Sequence, residues 1–468
     1  GIGTRMSDIT IEAGLMNRAM QRVASLWRDL AWVVQRSPQP ASDFAEEFRA
    51  CMEARGGEVS ARNRAAALAE RYRGLDEAGR LGFLRALAAF DSDGVAVTRA
   101  IEKLGTAPDA ALRAIALAGL RRALEPPRLK LLTAFAAIPD GVKFLVEMRA
   151  ELLRLKDHEA PLQALETDLK GLLASWFDVG FLELRAIDWK SPAALLEKLV
   201  QYEAVHRIRT WRDLRNRLDS DRRCYAFFHP RMPDEPLIFV EVALERGMAA
   251  SVQKLLDEKA PLQDAGQADT AVFYSINNCQ RGLDGISFGN FLIKRVVELL
   301  AAEFPKLKTF CTLSPMPGFR AWLEKSARAG EALLTSEEEA ALTMAMGDGA
   351  ALDFAKLITD RACLKQEALA RAMAPILIRL GARYLIKEAP SGRPGRALDP
   401  VAHFHLSNGA RVERLNWRAD ISENGLRQSC GLMVNYLYDP ASIEENHEAY
   451  VGDGQRAASG GLKRLIRA

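Results

Sequence analysis

Between residues 271 and 319 the chain reads as strand, glycine loop, helix and strand, and that order leaves few architectures open. Residues 272–276 and 307–313 are short runs rich in β-branched and aromatic types, the second closing on Ser314-Pro315. Between them Leu292, Val296, Leu299 and Leu300 recur at helical spacing. Two strands joined by a covering helix lie parallel with a right-handed crossover. The loop after the first strand and Ser314 after the second therefore open on one edge of the sheet, where ligands bind in such sheets. The loop, Gln280-Arg281-Gly282-Leu283-Asp284-Gly285-Ile286-Ser287-Phe288-Gly289-Asn290, places three glycines ahead of a helix starting near Phe291. Glycines permit close backbone approach, and a helix start offers unpaired N–H groups to an anion such as a pyrophosphate. The spacing matches neither the P-loop nor the dinucleotide fingerprint, so a plain connecting loop is the competing reading.

The rest of the chain bounds what this unit belongs to. At 468 residues the sequence is too long for one ordinary core and implies two domains. A charged fraction of 27% beside 49% hydrophobic residues is that of an ordinary soluble globular protein. The formal net charge of +3, with Lys and Arg interleaved among Asp and Glu, offers no surface for nucleic acid. No run of about 18 uninterrupted apolar residues occurs, so no membrane span is expected. Met6 reads as the native start, with no apolar signal core near it, and the expected compartment is the cytoplasm. Cys51, Cys224, Cys279, Cys311, Cys363 and Cys430 show no metal-ligand spacing and read as free thiols in a reducing compartment.

From residue 7 to 172 apolar residues fall at helical spacing, as in Met20, Val23, Ala24 and Trp27, or Leu81, Leu84, Leu87 and Ala88. Breaks at 38–40, 56–57, 91–94, 126–127 and 139–141 divide this stretch into seven or eight helices of a bundle, a repeat solenoid being the minor alternative. Its arginines read as solvated helix faces, or else as a surface for self-association. Residues 176–218 continue helical, with a new helix capped by Ser191 and Pro192 at its first position. Runs at 223–229 and 236–244 suggest a hairpin, and 248–259 a helix. From 320 to 380 the chain is helical again, ending near Gly381 and passing into a loop at 388–395 that reads as part of an insertion over the site. HFHL and RVERLNW flank Ser407-Asn408-Gly409, a hairpin signal that puts His405 on a strand beside a tight turn. A last helix spans 422–435, and the polar tail beyond Asp439 reads as loosely ordered.

Two residues draw chemical notice. Ser314 precedes a proline, which holds it extended and projects its hydroxyl at the carboxyl edge of the sheet; a turn initiator is the bland alternative. His405 is one of six histidines, and a strand histidine satisfied by neighbouring backbone is the ordinary case. On a strand His403 and His405 would share a face and could ligate a metal, but no third ligand lies at a recognisable spacing.

SINNCQRGLDGISFGNFLIKRVV, TLSPMPGF, FHLSNGARVERLNW and CGLMVNYLY, four motifs in order, resemble the malonyl-CoA decarboxylase family, and the resemblance covers most of the chain from about Tyr225 to Asp439. The helical N-terminal part resembles that family in character and length. The resemblance implies an α+β chain: an all-α helical bundle over 7–175 that self-associates, then a mixed-sheet catalytic domain of the acetyltransferase-like (GNAT) fold over 176–468. It implies that Gln280, Gly282, Asp284, Gly285, Ile286, Ser287, Phe288, Gly289 and Asn290 bind coenzyme A. Ser314 takes the position of the catalytic serine and His405 that of the catalytic histidine, while Asn435, Tyr436 and Tyr438 either complete the pocket or pack a helix end. Ser314 would hydrogen-bond the malonyl carboxylate; His405 would donate to the thioester oxygen and supply the proton. The expected partners are malonyl-CoA and further copies of the chain, a tetramer being one form of that homo-oligomer, with no metal and no cofactor apart from the coenzyme A of the substrate. The C-terminal Leu465-Ile466-Arg467-Ala468 is not a peroxisomal address and favours a bacterial-type over an organellar enzyme. An acyltransferase using the same pocket, and a non-catalytic scaffold that senses acyl-CoA, are the competing functions.

Overall fold

The computed structural model describes residues 42–53, 57–155, 159–286, 288, 292–347, 351–359 and 366–467. The helix expected around Met20 and Trp27 lies outside them, as does Cys363. The chain divides into two compact units, one comprising Gly1–Pro139 with Ala160–Leu165, the other Asp140–Glu159 with Glu166–Ala468.

The first unit is helical: α1 (Ser42–Met52), α2 (Glu58–Gly74), α3 (Glu77–Ala88), α4 (Gly94–Gly105), α5 (Ala110–Leu124) and α6 (Arg128–Ala136). Asp76, Asp93 and Asp109 each stand just before a helix and accept a first-turn N–H, the ordinary N-cap chemistry of that residue type. The expected stripe on α3 points inward, with Leu84, Leu87 and Ala88 buried. Phe83 is the hub of an aromatic core, meeting Phe44, Phe48 and Tyr72 edge-on at 4.9–5.1 Å. Helices α4 and α5 differ. They bury no residue, and Val95, Ile101, Ile115 and Leu124 are all more than half exposed.

The second unit opens with α7 (Gly141–Leu155) and most of α8 (Ala160–Trp176), and is built on seven strands. In chain order these are β1 (Glu183–Ile187), β2 (Arg222–Phe228), β3 (Ile238–Glu245), β4 (Thr270–Asn278), β5 (Thr309–Thr312), β6 (Arg411–Asn416) and β7 (Met433–Leu437). Their spatial order is β1-β2-β3-β4-β5-β7-β6, with only β4 and β5 parallel. Among the described residues the remaining α-helices are α9 (Ala193–Tyr202), α10 (Trp211–Arg217), α11 (Val252–Leu255), α12 (Leu292–Glu303), α13 (Phe319–Arg328), α14 (Ser336–Met346), α15 (Phe354–Thr359), α16 (Glu367–Ile386), α17 (Pro400–Ser407), α18 (Glu423–Ser429), α19 (Ile443–Asp453) and α20 (Gly460–Leu465). This is the helical bundle followed by a mixed-sheet domain that the resemblance implied. The β4–α12–β5 unit and the β2–β3 hairpin stand where the sequence put them.

Several local expectations are corrected. Residues 176–218 are not helical throughout, because 183–187 pair with β2 as the edge strand β1. Helix α9 starts at Ala193 with Pro192 as its N-cap residue, while Ser191 Oγ turns back to accept the Asp188 N–H. The helix expected over 248–259 is only the single turn α11. Helix α16 continues past Gly381 to Ile386; Gly381 is not a helix end but sits where Leu415 and Leu432 pack closely against the helix, a Cβ there lying 3.3 Å from each. The HFHL segment is α17, not a strand. Asp399 and Pro400 explain it: the Asp399 carboxylate accepts the Val401 and Ala402 N–H groups, and proline suits a first helical turn. The Asn408-Gly409 turn follows the helix, with Gly409 at φ 85°, and a Cβ there would meet the Ile443 carbonyl oxygen at 2.2 Å. Residues 422–435 split into α18 and the strand β7. The tail beyond Asp439 forms α19 and α20, and Ala458 pairs with Val412 of β6.

Candidate active site

The parallel strands β4 and β5 pair only from Thr270/Thr309 to Phe273/Thr312. Beyond that point β4 runs on to Asn278 without β5, and a register shift opposite β3 places Tyr274 as an extra residue between Phe273 and Ser275. The ladder on the other side of β5 is irregular too. Asn435 Nδ2 donates to the Thr312 carbonyl at 2.7 Å, and the Tyr436 N–H donates to Thr312 Oγ1 at 3.1 Å, so side chains stand in for backbone partners. Ser314 closes the strand. Its N–H and C=O pair with Val434 of β7 at 2.8 and 2.9 Å, which fixes the serine at the carboxyl edge as its position before proline implied.

Helix α17 brings His405 to the same place. Its buried residues Ala402, His405 and Leu406 have the i, i+3, i+4 spacing of a helix face. His405 Nε2 lies 3.1 Å from Ser314 Oγ although 91 residues separate them in the chain. Ser314 is 6% and His405 2% exposed. The imidazole stacks on Tyr436, ring centroids 4.5 Å apart and 24° from parallel, and its Nδ1 is 2.7 Å from the Tyr438 hydroxyl. Burial with no compensating charge pushes His405 down to about 3, so the ring is neutral and one nitrogen is a donor, the other an acceptor. Donor counting assigns them. The Tyr438 hydroxyl gives its hydrogen to Nδ1, the Ser314 hydroxyl gives its hydrogen to Thr312 Oγ1 at 2.8 Å, and Nε2–H is left pointing at Ser314 Oγ. The Tyr436 hydroxyl, also buried, has no hydrogen-bond partner among the described residues.

His403 does not join this group. On a helix residues two apart face different ways, and His403 Nδ1 instead meets the Tyr450 hydroxyl at 2.8 Å. Among the described residues no group of three or more His, Cys, Asp or Glu is arranged to hold a metal ion.

In the glycine loop, Gln280 donates through Nε2 to the Pro236 carbonyl at 3.0 Å. Gly282 is buried against α7: a Cβ there would stand 1.8 Å from the Val146 carbonyl oxygen. Arg149 of α7 donates to the Gly282 carbonyl at 2.7 Å while paired with Glu166 at 2.8 Å, so this glycine serves close packing of the loop on the helix. Asp284 and Gly285 are exposed, Ile286 is buried, and Phe288 meets Phe177 edge-on at 6.4 Å. Lys170 Nζ lies about one side-chain contact from Gly285, 3.5 Å from where a Cβ would be. Ser287, Gly289 and Asn290 lie outside the described residues.

Of the three pocket residues, Tyr436 and Tyr438 surround His405, the first from β7 and the second from the residue just after that strand, not from a helix end. Asn435 points its amide the other way, to the Thr312 and Ala249 carbonyls, with its oxygen accepting from Arg414 and Asn416. Thr312, Lys170 and Arg149 were not foreseen. Thr312 had an available signal, standing two residues before Ser314 and so on the same face of the strand.

Comparison with known proteins agrees with this architecture. The family model for the malonyl-CoA decarboxylase C-terminal domain matches residues 180–468, and that for the N-terminal domain matches 90–177. The mitochondrial malonyl-CoA decarboxylase of Rattus norvegicus is 39% identical over 359 residues, 74% of this chain and 72% of the relative. That of Anser anser anser is 38% identical over 352 residues, 73% and 69% of the two chains. The crystal structure of malonyl-CoA decarboxylase from Rhodopseudomonas palustris superposes with a TM-score of 0.81 at 43% identity, covering 91% of this chain and 100% of that one. The enzyme from Agrobacterium vitis gives 0.81 and 43%, with 91% and 99% covered. With both family models matched in order and relatives of this identity along most of its length, the chain belongs to the malonyl-CoA decarboxylase family.

Proposed function

We propose that this protein converts malonyl-CoA to acetyl-CoA and carbon dioxide through a thioester enolate, with Ser314 and His405 as the catalytic pair. The observation that carries the reading is the 3.1 Å approach of His405 Nε2 to Ser314 Oγ, both side chains buried at the edge where β4 and β5 part. Cleavage of the carboxylate carbon–carbon bond sends its electron pair into the thioester carbonyl, so negative charge develops on that oxygen. A preorganised neutral N–H is the donor such charge requires, and His405 Nε2–H is one. Ser314 turns its hydroxyl hydrogen from Thr312 Oγ1 to the malonyl carboxylate and holds its bond across the thioester plane. His405 then delivers its proton to the product carbon and regains one from water. The thioester accepts the electrons, so the chemistry calls for neither a metal nor an organic cofactor beyond coenzyme A itself.

The pantetheine arm enters between the parted strands, and the loop 280–290 meets the pyrophosphate, with Lys170 beside Gly285 as the nearby cation. Residues 7–175 serve self-association, for which the exposed apolar side chains of α4 and α5 are the support. Among the described residues no helix is long and apolar enough to cross a membrane, in keeping with a cytoplasmic enzyme.

The test is incubation of purified protein with malonyl-CoA, following carbon dioxide, acetyl-CoA and bound ligand together. Equal release of the two products is expected, with Ser314→Ala and His405→Asn each lowering kcat by at least about 10²-fold while still binding coenzyme A. Full activity in both variants would remove the pair from the mechanism. Transfer of an acetyl group to an amine without carbon dioxide would make the protein an acyltransferase, and binding without turnover a sensor.

A further inference from the structure

We infer that Asp399 is a positioning residue, whose carboxylate anion ties the turn that carries Ser314 to the helix that carries His405. The inference rests on the Ser314/His405 reading above and adds a residue that touches neither side chain.

Asp399 is wholly buried. Its Oδ1 accepts the Val401 and Ala402 N–H groups, each at 2.9 Å, and so anchors the first turn of α17, whose last turn holds His405. Its Oδ2 accepts the Tyr384 hydroxyl of α16 at 3.2 Å. The Gly318 N–H, four residues after Ser314, is turned toward the carboxylate and favours its charged form. One side chain thus joins three segments that are far apart in sequence. The joint has no slack: a Cβ on Gly318 would lie 2.5 Å from the Tyr384 hydroxyl, and the Tyr384 ring is packed between Phe319 at 5.6 Å and Trp322 at 5.3 Å.

All four donors are uncharged, and only an ionised carboxylate offers acceptor sites for all of them. Protonation turns one site into a donor, and three of the four neighbours are N–H groups that cannot accept. The titratable groups facing Asp399 are Tyr384 from α16 and Tyr436 from β7, both held as neutral phenols; the turn before α13 brings only the Gly318 amide. Burial pushes the carboxyl up to about 6, against a His405 imidazole pushed down to about 3. A loss of turnover as pH falls through about 6 therefore belongs to the carboxylate and not to the imidazole.

Asp399→Asn keeps an oxygen for the two α17 amides but removes the charge and turns the Oδ2 position into an N–H donor, to which the Tyr384 hydroxyl has to reverse its role. Tyr384→Phe keeps the carboxylate and removes one donor. The measurements are kcat and KM for malonyl-CoA from about pH 5 to 8, with circular dichroism to follow folding. Asp399→Asn is expected to lower kcat at neutral pH by about 10²-fold, the usual cost of an ångström of misplacement, with KM changed far less. Its profile lacks the acid limb that the unmodified enzyme shows near pH 6. Tyr384→Phe moves that limb to higher pH, because the anion has lost a donor. Asp399→Asn with unchanged kcat, or with the same acid limb, would overturn the inference. If Asp399→Asn does not fold, an acid limb left in place by Tyr384→Phe overturns it. Activity persisting in Ser314→Ala and His405→Asn would instead sink the catalytic pair, so the two failures are told apart.

Discussion

The neutrality of His405 has a measurable effect on stability. The imidazole ordinarily titrates at 6.5, and burial pushes it down to about 3 in the folded protein. Between those values the unfolded chain binds a proton that the folded chain refuses, so this residue makes the fold less stable as pH falls through the ordinary range, and the loss levels off below about pH 3. At pH 5 the unfolded imidazole lies 1.5 units below its ordinary value, worth about 2 kcal/mol at about 1.4 kcal/mol per unit. At pH 7 the same term is only about 0.2 kcal/mol. Asp399 acts with the opposite sign, its raised carboxyl favouring the fold as pH falls from about 6, but it is common to both proteins compared here and cancels. The experiment is urea unfolding of the unmodified protein and His405→Asn at pH 7 and pH 5. The unmodified protein should lose about 2 kcal/mol more than the variant between the two pH values. Equal losses, to within about 0.5 kcal/mol, would mean that the folded imidazole takes up a proton and that its burial does not keep it neutral.

Two further substitutions probe the parts around the pair. Tyr438→Phe removes the donor that fixes Nδ1 as acceptor, and should lower kcat by about 10- to 100-fold while KM for malonyl-CoA holds, measured by steady-state kinetics; an unchanged kcat would show that the hydroxyl does not set the tautomer. Gly282→Ala drives a methyl into the Val146 carbonyl, and should cost about 2 kcal/mol or more in urea unfolding and weaken coenzyme A binding by calorimetry; a variant as stable as the unmodified protein would show that the loop yields freely.

How much was legible in the sequence varied with the range of the interactions involved. The β4–α12–β5 unit was legible because its apolar periodicity is local and its ends carry turn residues. His405 was placed by its motif although its local structure was misread: HFHL is a short apolar run whose period does not separate helix from strand, and the deciding signal was the Asp399-Pro400 cap ahead of it. Residues 433–437 were misread for a different reason. Strand β7 lies inside the sheet between β5 and β6, and Met433, Val434, Asn435 and Tyr436 are all buried, so no alternation of polar and apolar residues marks it. The edge strand β1 fails in the opposite sense: Glu183, Arg185 and Ala186 are exposed, and of its five residues Ile187 alone is buried.

The amino-acid order alone determined the parallel strand pair, the edge on which the glycine loop and Ser314 open, and the helical character of the N-terminal region, since each follows from contacts within a few turns or one crossover. Only the tertiary structure decided that Nε2 of His405 faces Ser314, that Tyr438 holds the other ring nitrogen, that Gly282 serves α7, and that Asp399 joins the two halves of the site. Those facts depend on the register of β5 against β7 and on the seating of α17. Both are set by packing between segments some hundred residues apart, and the protonation of the imidazole by the burial that this packing creates.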